Sequence, residues 1–373
     1  MKKITVFLFT LCGLALINAQ THTHISAQPL SYPNIEGYVT LKADLHQHTV
    51  FSDGNVWPTI RVLEALRENL DLISLTEHLE YQPHSADIPH PDRNRSYELI
   101  KAMEEAQEHG LLIAHGSEIT RSEPVGHSNA IFITDANQLI QDKPADAFAQ
   151  AKKQNAFTFW NHPAWHAQSP QGIPILSDFQ KERIKKGELH GIEVINSVDY
   201  AQEALALALE HNLTVMGTSD IHGLIDWDYT EKGNHRPITL IFAKEKSLSS
   251  AKEALFAGRT VAVYNDLLVG RETYLKPLLE ASIEVTKAAY MPDTQVLEIE
   301  LQNNSSSDLI FENQMEYTFY DSSPVFEIAA GTTKKLLVKT LEIKDKLNLK
   351  LKALGCFTAP KAQPVLEWEV KVE

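Results

Sequence analysis

Between residues 38 and 264, short β-like runs alternate with amphipathic runs of helical period. The helical runs cover residues 59–69, 97–109, 201–212 and 248–258, where apolar side chains recur every three or four positions. The predicted strands are 39–45, 72–75, 111–119, 130–133, 156–160, 191–195, 214–217, 238–242 and 260–263. Strand–helix alternation of this length predicts a parallel α/β sheet, either open or closed into a barrel.

The pattern of the chain changes after about residue 277. Short runs of alternating apolar and polar residues follow one another, separated by turn sequences such as 303–307. Helical stretches are rare there, and no histidine occurs after His235. The pattern predicts a C-terminal β-sandwich-like domain at 277–373, following a barrel-type domain at 20–276.

The N-terminus has the pattern of a secretory signal peptide. Lys2 and Lys3 precede an apolar run at 4–17, and Ala19 supplies a small residue at a cleavage point. A membrane anchor would need about 20 apolar residues, which this run does not reach. Residues 1–19 are therefore predicted to be cleaved, leaving a periplasmic or secreted protein without a membrane anchor. Its one remaining cysteine, Cys356, cannot form an internal disulfide.

The charge balance restricts the partners of the protein. Lys and Arg number 34 against 49 Asp and Glu, which gives a formal net charge of −15. Non-specific nucleic-acid binding needs a basic surface, so we do not expect it. An anionic substrate stays possible because a bound metal ion can reverse the local field. The 16 histidines make a metal site the first hypothesis to consider.

The strongest local motif follows the first predicted strand, where His46 and His48 are separated by one residue. Side chains alternate along a strand, so both imidazoles point to the same side. Asp53 follows on the next loop. Further His, Asp and Glu residues stand at the ends of later predicted strands: His78, Glu118, His127, His162, Asp220 and His222. Barrel enzymes place their chemistry at the carboxyl ends of strands, so the pattern predicts a metal site.

The chain resembles the polymerase and histidinol phosphatase (PHP) superfamily in its motifs and in their order. The motifs are D-L-H-x-H-T-x-x-S-D-G, T-x-H, G-x-E, G-H, x-H-P and S-D-x-H. The resemblance spans residues 43–222. It implies a distorted seven-stranded β/α barrel that binds two or three divalent ions (manganese, zinc or iron) and hydrolyses phosphate esters. The ligand positions that it implies are His46, His48, Asp53, His78, Glu118, His127, His162, Asp220 and His222.

The resemblance also implies roles for these positions. Glu118 matches a carboxylate that bridges two ions. His46, His48 and Asp220 would complete one ion, His127 and His162 a second, and Asp53, His78 and His222 a third. Glu118, Asp220 and His222 are our catalytic candidates. Many relatives have Asp where this chain has Glu77, and Asp44 is expected to orient a ligand histidine. The exported barrel with an appended β domain resembles secreted bacterial PHP phosphodiesterases.

The predicted reaction is hydrolysis of a phosphate mono- or diester, in which a hydroxide that bridges the metals attacks phosphorus. The partner is then a small phosphate ester. Two alternatives stay open: a binuclear amide or lactone hydrolase, and a non-catalytic binding protein on the same barrel. The natural substrate and the oligomeric state are not decided by the sequence.

Several residues outside the ligand set are candidates for substrate contact. Arg121 lies near Glu118, while Arg93 and Arg95 lie in an insertion after His78 that could close over the site. Trp160 and Trp165 flank His162; packing is the first interpretation, and an aromatic wall for a leaving group is the alternative.

Overall fold

The computed structural model describes residues 28–373, so the signal-peptide prediction at 1–19 lies outside the described residues. The chain folds into a curled mixed β-sheet with helices, followed by an all-antiparallel β domain. The predicted fold class, a PHP-type barrel with a sandwich-like C-terminal domain, is confirmed. The large sheet has twelve strands, more than the seven expected, because short edge strands extend it. In the described range, no helix is both long and apolar enough to cross a membrane.

The first part of the chain supplies eleven strands of the large sheet and nine helices within the described range. The strands are β1 (Val39–Asp44), β2 (Leu72–Leu75), β3 (Leu112–Ile119), β4 (Ser128–Ile131), β5 (Phe157–Trp160), β6 (Gly191–Asn196), β7 (Asp199–Tyr200), β8 (Thr214–Thr218), β9 (Ile238–Ala243), β10 (Thr260–Tyr264) and β11 (Leu267–Gly270). The helices are α1 (Pro58–Arg67), α2 (Arg95–Lys101), α3 (Glu104–Glu108), α4 (Pro144–Lys153), α5 (Asp178–Lys185), α6 (Gln202–Glu210), α7 (Ile225–Asp228), α8 (Leu248–Phe256) and α9 (Glu272–Ser282).

Strand direction decides which residues meet at the edge of the sheet. β1, β2 and β3 run parallel, as do β5, β6 and β8. β4 is antiparallel to both of its neighbours, β3 and β5. The beginning of β4 therefore lies at the same edge as the ends of the parallel strands. A residue just before β4 can thus join residues that follow β1, β2, β3, β5 and β8.

The curl brings β8 against β9 and β10 through side chains. Thr239 Oγ1 accepts a hydrogen bond from Gly217 N (3.0 Å) and donates one to Gly217 O (2.8 Å). Thr260 Oγ1 donates to Val215 O (2.7 Å). A Cβ atom on Gly217 would lie 2.8 Å from Ile238 O, which is too close for any larger residue. The glycine therefore permits the close approach that draws the two ends of the curl together.

The C-terminal domain consists of two four-stranded antiparallel sheets. Buried and half-buried residues alternate along its strands, as in Val296–Asn303, because each strand faces the core on one side only. The strands are β12 (Ile283–Tyr290), β13 (Val296–Asn303), β14 (Leu309–Asn313), β15 (Thr318–Phe319), β16 (Val325–Ile328), β17 (Thr333–Lys339), β18 (Lys346–Leu354), β19 (Cys356–Phe357) and β20 (Val365–Lys371), of which β19 joins the large sheet.

No loop separates the barrel part from the C-terminal part at their junction. The boundary expected at Pro277 falls inside α9, and β12 follows that helix directly. Proline in a helix interior removes a hydrogen bond, but the neighbouring Leu275, Leu278 and Leu279 are fully buried and hold the helix in place. β19 pairs in parallel with β11, so the C-terminal part contributes a strand to the sheet of the barrel.

A histidine outside the candidate site gives a pH-dependent prediction. His190 packs against Phe157 and Phe256, and Thr158 N–H lies 3.2 Å from its Nδ1. Burial lowers the pKa of His190 to about 4. The unfolded chain therefore binds a proton between pH 6.5 and pH 4 that the folded chain does not, so stability falls as the pH falls through this range.

We expect His190→Gln to remove this dependence. Wild type should lose roughly 2 kcal/mol more than the variant between pH 7 and pH 5, as measured by urea unfolding. His109→Gln, at an exposed position, is the control and should behave like wild type. Equal pH dependence in wild type and His190→Gln would contradict the prediction.

Candidate metal centre

The His46-x-His48 pair follows the end of β1. Both side chains are completely buried, and their Nε2 atoms lie 3.1 Å apart. Gln47, between them, forms an isolated parallel bridge with Ile221, which keeps this segment extended beyond the strand. His46 and His48 therefore lie on the same side of the chain, as the alternation of side chains along a strand predicts. The two imidazoles present their Nε2 atoms to one point.

Glu118, near the end of β3, lies at the centre of the cluster and is fully buried. Its Oε2 is 3.2 Å from His46 Nε2, 3.3 Å from His48 Nε2 and 3.3 Å from His78 Nδ1. Its Oε1 is 2.6 Å from His127 Nδ1. One carboxylate thus contacts four imidazoles: two follow β1, one follows β2 and one precedes β4. His127 reaches this position because it directly precedes the antiparallel β4.

Asp220 follows β8 and closes a second side of the cluster. Its Oδ1 lies 3.1 Å from His46 Nε2 and 3.2 Å from His48 Nε2, and its Oδ2 lies 4.0 Å from His162 Nε2. Asp220 and His162 both have positive φ angles, 51° and 29°. Such backbone conformations are unfavourable for residues other than glycine and cluster at functional sites. The fold holds these two side chains in place at a cost in backbone strain.

Asp53 organises the outer part of the cluster, which is nearer to solvent. Its Oδ2 is 3.3 Å from His78 Nε2, and its Oδ1 is 3.2 Å from His222 Nε2. His222 Nδ1 lies 2.8 Å from Asp220 O. Because a carbonyl oxygen only accepts, this contact requires a proton on His222 Nδ1, so Nε2, beside Asp53, is the nitrogen that would face a cation.

All nine residues predicted as ligands meet in this one region. Their side-chain ligand atoms form overlapping groups, and within each group every atom lies within 4.8 Å of the others. The groups are His46, His48 and Glu118; His46, His162 and Asp220; His78, Glu118 and His127; and His48, Asp53, His78 and His222. His162 is grouped with His46 and Asp220, whereas the resemblance paired it with His127. Mixed imidazole and carboxylate ligands suit ions such as Mn²⁺, Fe²⁺ and Zn²⁺.

The electrostatics of the cluster also favour a cation. Burial alone would raise the pKa of Glu118, but the surrounding histidines, first His78, hold it well below its usual range. Burial opposes protonation of His48, yet its contacts with Asp220 and Glu118 raise its pKa to about 9. The carboxylates are thus charged and their field favours positive charge at the imidazoles. Divalent ions would satisfy the same field.

Glu193, a buried carboxylate on β6, also contacts the cluster and was not predicted from the sequence. Its Oε1 lies 2.7 Å from His46 Nδ1 and accepts from Thr218 Oγ1 (2.6 Å), and its Oε2 accepts from His162 N (2.6 Å). It therefore orients two of the nine residues and leaves His46 Nε2 facing the cluster. The signal available in the sequence was a single charged residue inside the apolar run 191–195.

Replacing Glu193 with Gln should test this orienting role. The amide keeps the size of the side chain but removes its charge, so His46 loses the charge of its closest carboxylate partner. We expect metal affinity to fall by about 10- to 100-fold, with kcat recovering at saturating Mn²⁺. Metal titration of the apoprotein measures the change, and Glu203→Gln, on the N-terminal turn of α6, is the control. Unchanged affinity in Glu193→Gln would reject the role.

Two other carboxylates support the backbone around the cluster. Glu77 accepts hydrogen bonds from Thr49 N (3.1 Å) and Ser52 Oγ (2.6 Å), and so holds the loop that carries Asp53. Asp44 accepts from Ser219 Oγ (2.6 Å). Asp44 was expected to orient a ligand histidine; it contacts His46 through the backbone, because its Oδ1 accepts from His46 N (3.5 Å) as well as from Ser219 N (3.2 Å). It thereby also fixes the turn before Asp220.

Of the three arginines considered for substrate contact, only Arg121 lies beside the cluster. It lines a cavity of about 380 Å³ that includes His127. Its guanidinium forms an ion pair with Glu80 (2.7 Å). Arg93 donates instead to the carbonyls of Leu79 and His90. These hydrogen bonds hold the insertion after His78 in place. Arg95 is exposed at the start of α2.

A curled α/β sheet that gathers nine imidazole and carboxylate groups at one edge defines a class, the metal-dependent hydrolases built on β/α barrels. Comparison with solved structures specifies the family. The chain is similar to a two-domain protein from Bacteroides vulgatus containing a predicted PHP-like metal-dependent phosphoesterase, with 38% identity, TM-score 0.85, and coverage of 92% of this chain and 99% of that chain. The chain belongs to the PHP-like metal-dependent phosphoesterase family.

Other comparisons add detail. A family model described as an Ig-like domain matches residues 283–369. PsfC from Pseudomonas syringae shares 19% identity over 61% of this chain and 92% of its own, with TM-score 0.43. An amidohydrolase from Chromobacterium violaceum shares 16% identity over 48% and 87%, with TM-score 0.36. At these TM-scores, neither similarity indicates a function for this chain. A search of curated proteins finds no significant match.

Proposed function

We propose that this protein is an exported phosphoesterase that hydrolyses small phosphate mono- or diesters with two or three divalent ions, Mn²⁺, Zn²⁺ or Fe²⁺. The observation that supports the proposal most directly is the position of Glu118, whose carboxylate contacts four buried imidazoles. Nine ligand groups exceed what a single ion needs, since such ions usually take four to six.

The candidate site residues would have distinct roles in this reaction. His46, His48, Asp53, His78, Glu118, His127, His162, Asp220 and His222 would hold the ions. When bound, the ions would supply an activated water and positive charge that stabilises the phosphoryl oxygens. Glu118 fixes the separation of the imidazoles that flank it. His222, which is about one-third exposed, stands at the mouth of the cluster, where a substrate enters.

A panel of chromogenic substrates tests the reaction. Purified protein with added Mn²⁺ should release product from aryl phosphate mono- or diesters, and the ratio of the two rates reports the preferred class. An aryl lactone and an anilide in the same panel test the amide or lactone alternative. Turnover of those compounds alone, or no turnover by a fully metal-loaded protein, would reject the proposal.

Export is a separate part of the proposal and rests on residues 1–19 alone. N-terminal sequencing of protein recovered from the periplasm or medium of an expressing bacterium should begin at Gln20. Recovery of the full-length chain in the cytoplasm would reject export and leave the phosphoesterase proposal intact.

A further inference from the structure

We propose that the cavity beside His127 binds the leaving group of the substrate, and that this group is an uncharged sugar ring; the inference rests on the phosphoesterase function proposed above. The cavity measures about 380 Å³. That volume lies within the range of about 300–1,000 Å³ found for small-molecule sites. His127 belongs both to its wall and to the candidate metal centre. The cavity therefore adjoins the metal centre, so a leaving group bound in it could be bonded to a phosphorus atom that lies at the metal centre.

Two aromatic side chains stand at the cavity with their rings partly free. Trp165 is 51% exposed and Tyr81 is 53% exposed. The Trp165 ring lies 6.0 Å from that of His127, and the Tyr81 ring lies 5.8 Å from that of His78. Each aromatic ring thus lies beside a ligand histidine, and both residues line the cavity. Half-exposed aromatic side chains beside a polar pocket suit a ring with one apolar face, such as the C–H face of a pyranose.

A polar side chain without partners also lines the cavity. Among the described residues, Gln168 has buried Oε1 and Nε2 atoms that make no hydrogen bond, and Trp160 Nε1, which lies outside the lining, is also unpaired. Glu123 Oε1, Gln168 Oε1 and Trp160 Nε1 all lie within 3.3 Å of the point that a Cβ on Gly126 would occupy. A buried polar group left unpaired costs about 1–3 kcal/mol. Sugar hydroxyls both donate and accept, so they can pair with the amide of Gln168 and the carboxylate of Glu123 together.

The charge of the cavity favours a neutral leaving group. Arg121 is its only cationic side chain among the described lining residues, and Glu80 neutralises it at 2.7 Å. Glu123 then adds one uncompensated negative charge to the wall. A leaving group with a second phosphate would meet no free cation and would be repelled by Glu123. These charges favour a hexose phosphate over a nucleoside bisphosphate.

Competing substrates test the inference with the full-length, Mn²⁺-loaded protein. We expect kcat/KM for at least one hexose phosphate to exceed that for methyl phosphate by tenfold or more. Gln168→Ala and Trp165→Ala should each lower this ratio by about tenfold, which corresponds to about 1.4 kcal/mol. Trp165 is half exposed, so its replacement should leave folding intact, and Gln107→Ala, at an exposed position on α3, is the matched control.

A binding measurement separates this inference from the proposed function. Calorimetric titration with methyl hexosides, which carry no phosphate, should show saturable binding to wild type and weaker binding to Gln168→Ala. Binding without hydrolysis of any phosphate ester would reject the proposed reaction and retain the sugar site. Equal kcat/KM for hexose and methyl phosphates, or a preference for a nucleoside bisphosphate, would overturn the sugar site while leaving the phosphoesterase function standing.

Discussion

Glu118→Gln is expected to lower kcat by at least about 100-fold while changing KM little. The fully buried carboxylate contacts four imidazoles, those of His46, His48, His78 and His127. It therefore belongs to two of the ligand groups and connects them. An amide has nearly the same shape but one oxygen in place of two and no charge. An interaction required mainly in the transition state is lost in kcat rather than in KM.

The assay uses whichever aryl phosphate the panel identifies, at saturating Mn²⁺, together with elemental analysis of the variant. Glu108→Gln, at an exposed position on α3, is the control for loss of a carboxylate and should retain full activity. A Glu118→Gln variant with near wild-type kcat would show that this residue lies outside the reaction, and the ligand assignment would have to be revised.

Removal of the metal should both abolish activity and destabilise the protein. At least two ions per chain are expected in protein purified without chelator, because four overlapping groups of ligand atoms converge. Without a cation, the buried charges of Glu118 and Asp220 are balanced only by protons on the histidines. Free metal at 1,000 times its Kd would add about 4 kcal/mol to the free energy of unfolding.

Dialysis against chelator followed by thermal unfolding measures this effect. The melting temperature should fall, and adding Mn²⁺, Zn²⁺ or Fe²⁺ should restore both stability and turnover, with the most active ion identified by the recovered rate. His46→Ala should show a much smaller response to added metal than wild type. Fewer than one ion per chain, with no response to any of the three, would reject the metal centre.

The candidate ligand residues could be predicted from the sequence because most of them lie at or next to the end of a strand. His46 and His48 could be placed on one side by the period of a β-strand alone, and the structure puts their Nε2 atoms 3.1 Å apart. The location of His127 required one further fact, the antiparallel direction of β4. The sequence pattern predicted that the ligand residues meet at one edge of the sheet. Only the strand pairing showed that the beginning of β4, and not its end, lies at that edge.

Other features could not be predicted locally. The helical pattern at 97–109 is interrupted at Met103, whose backbone is extended (ψ 125°), so two short helices form in place of one. Glu193 looked like a lone charge in an apolar strand until its contact with His46 was known. Arg93 looked suited to phosphate binding, yet the carbonyls of Leu79 and His90 engage its guanidinium.

The sequence by itself predicted the strand–helix alternation, the β-rich C-terminal part and the nine converging residues, because these depend on short-range periodicity and on residue chemistry. It did not predict α4 and α5. Tertiary structure decided how the nine are grouped, which carboxylates support them and which residues line the cavity beside His127. Those properties arise from contacts between residues far apart in the chain, such as Glu193 with His46 or Gln168 beside Gly126. Periodicity along the chain carries no information about such distances, since they are fixed only when the sheet curls and the strand ends meet.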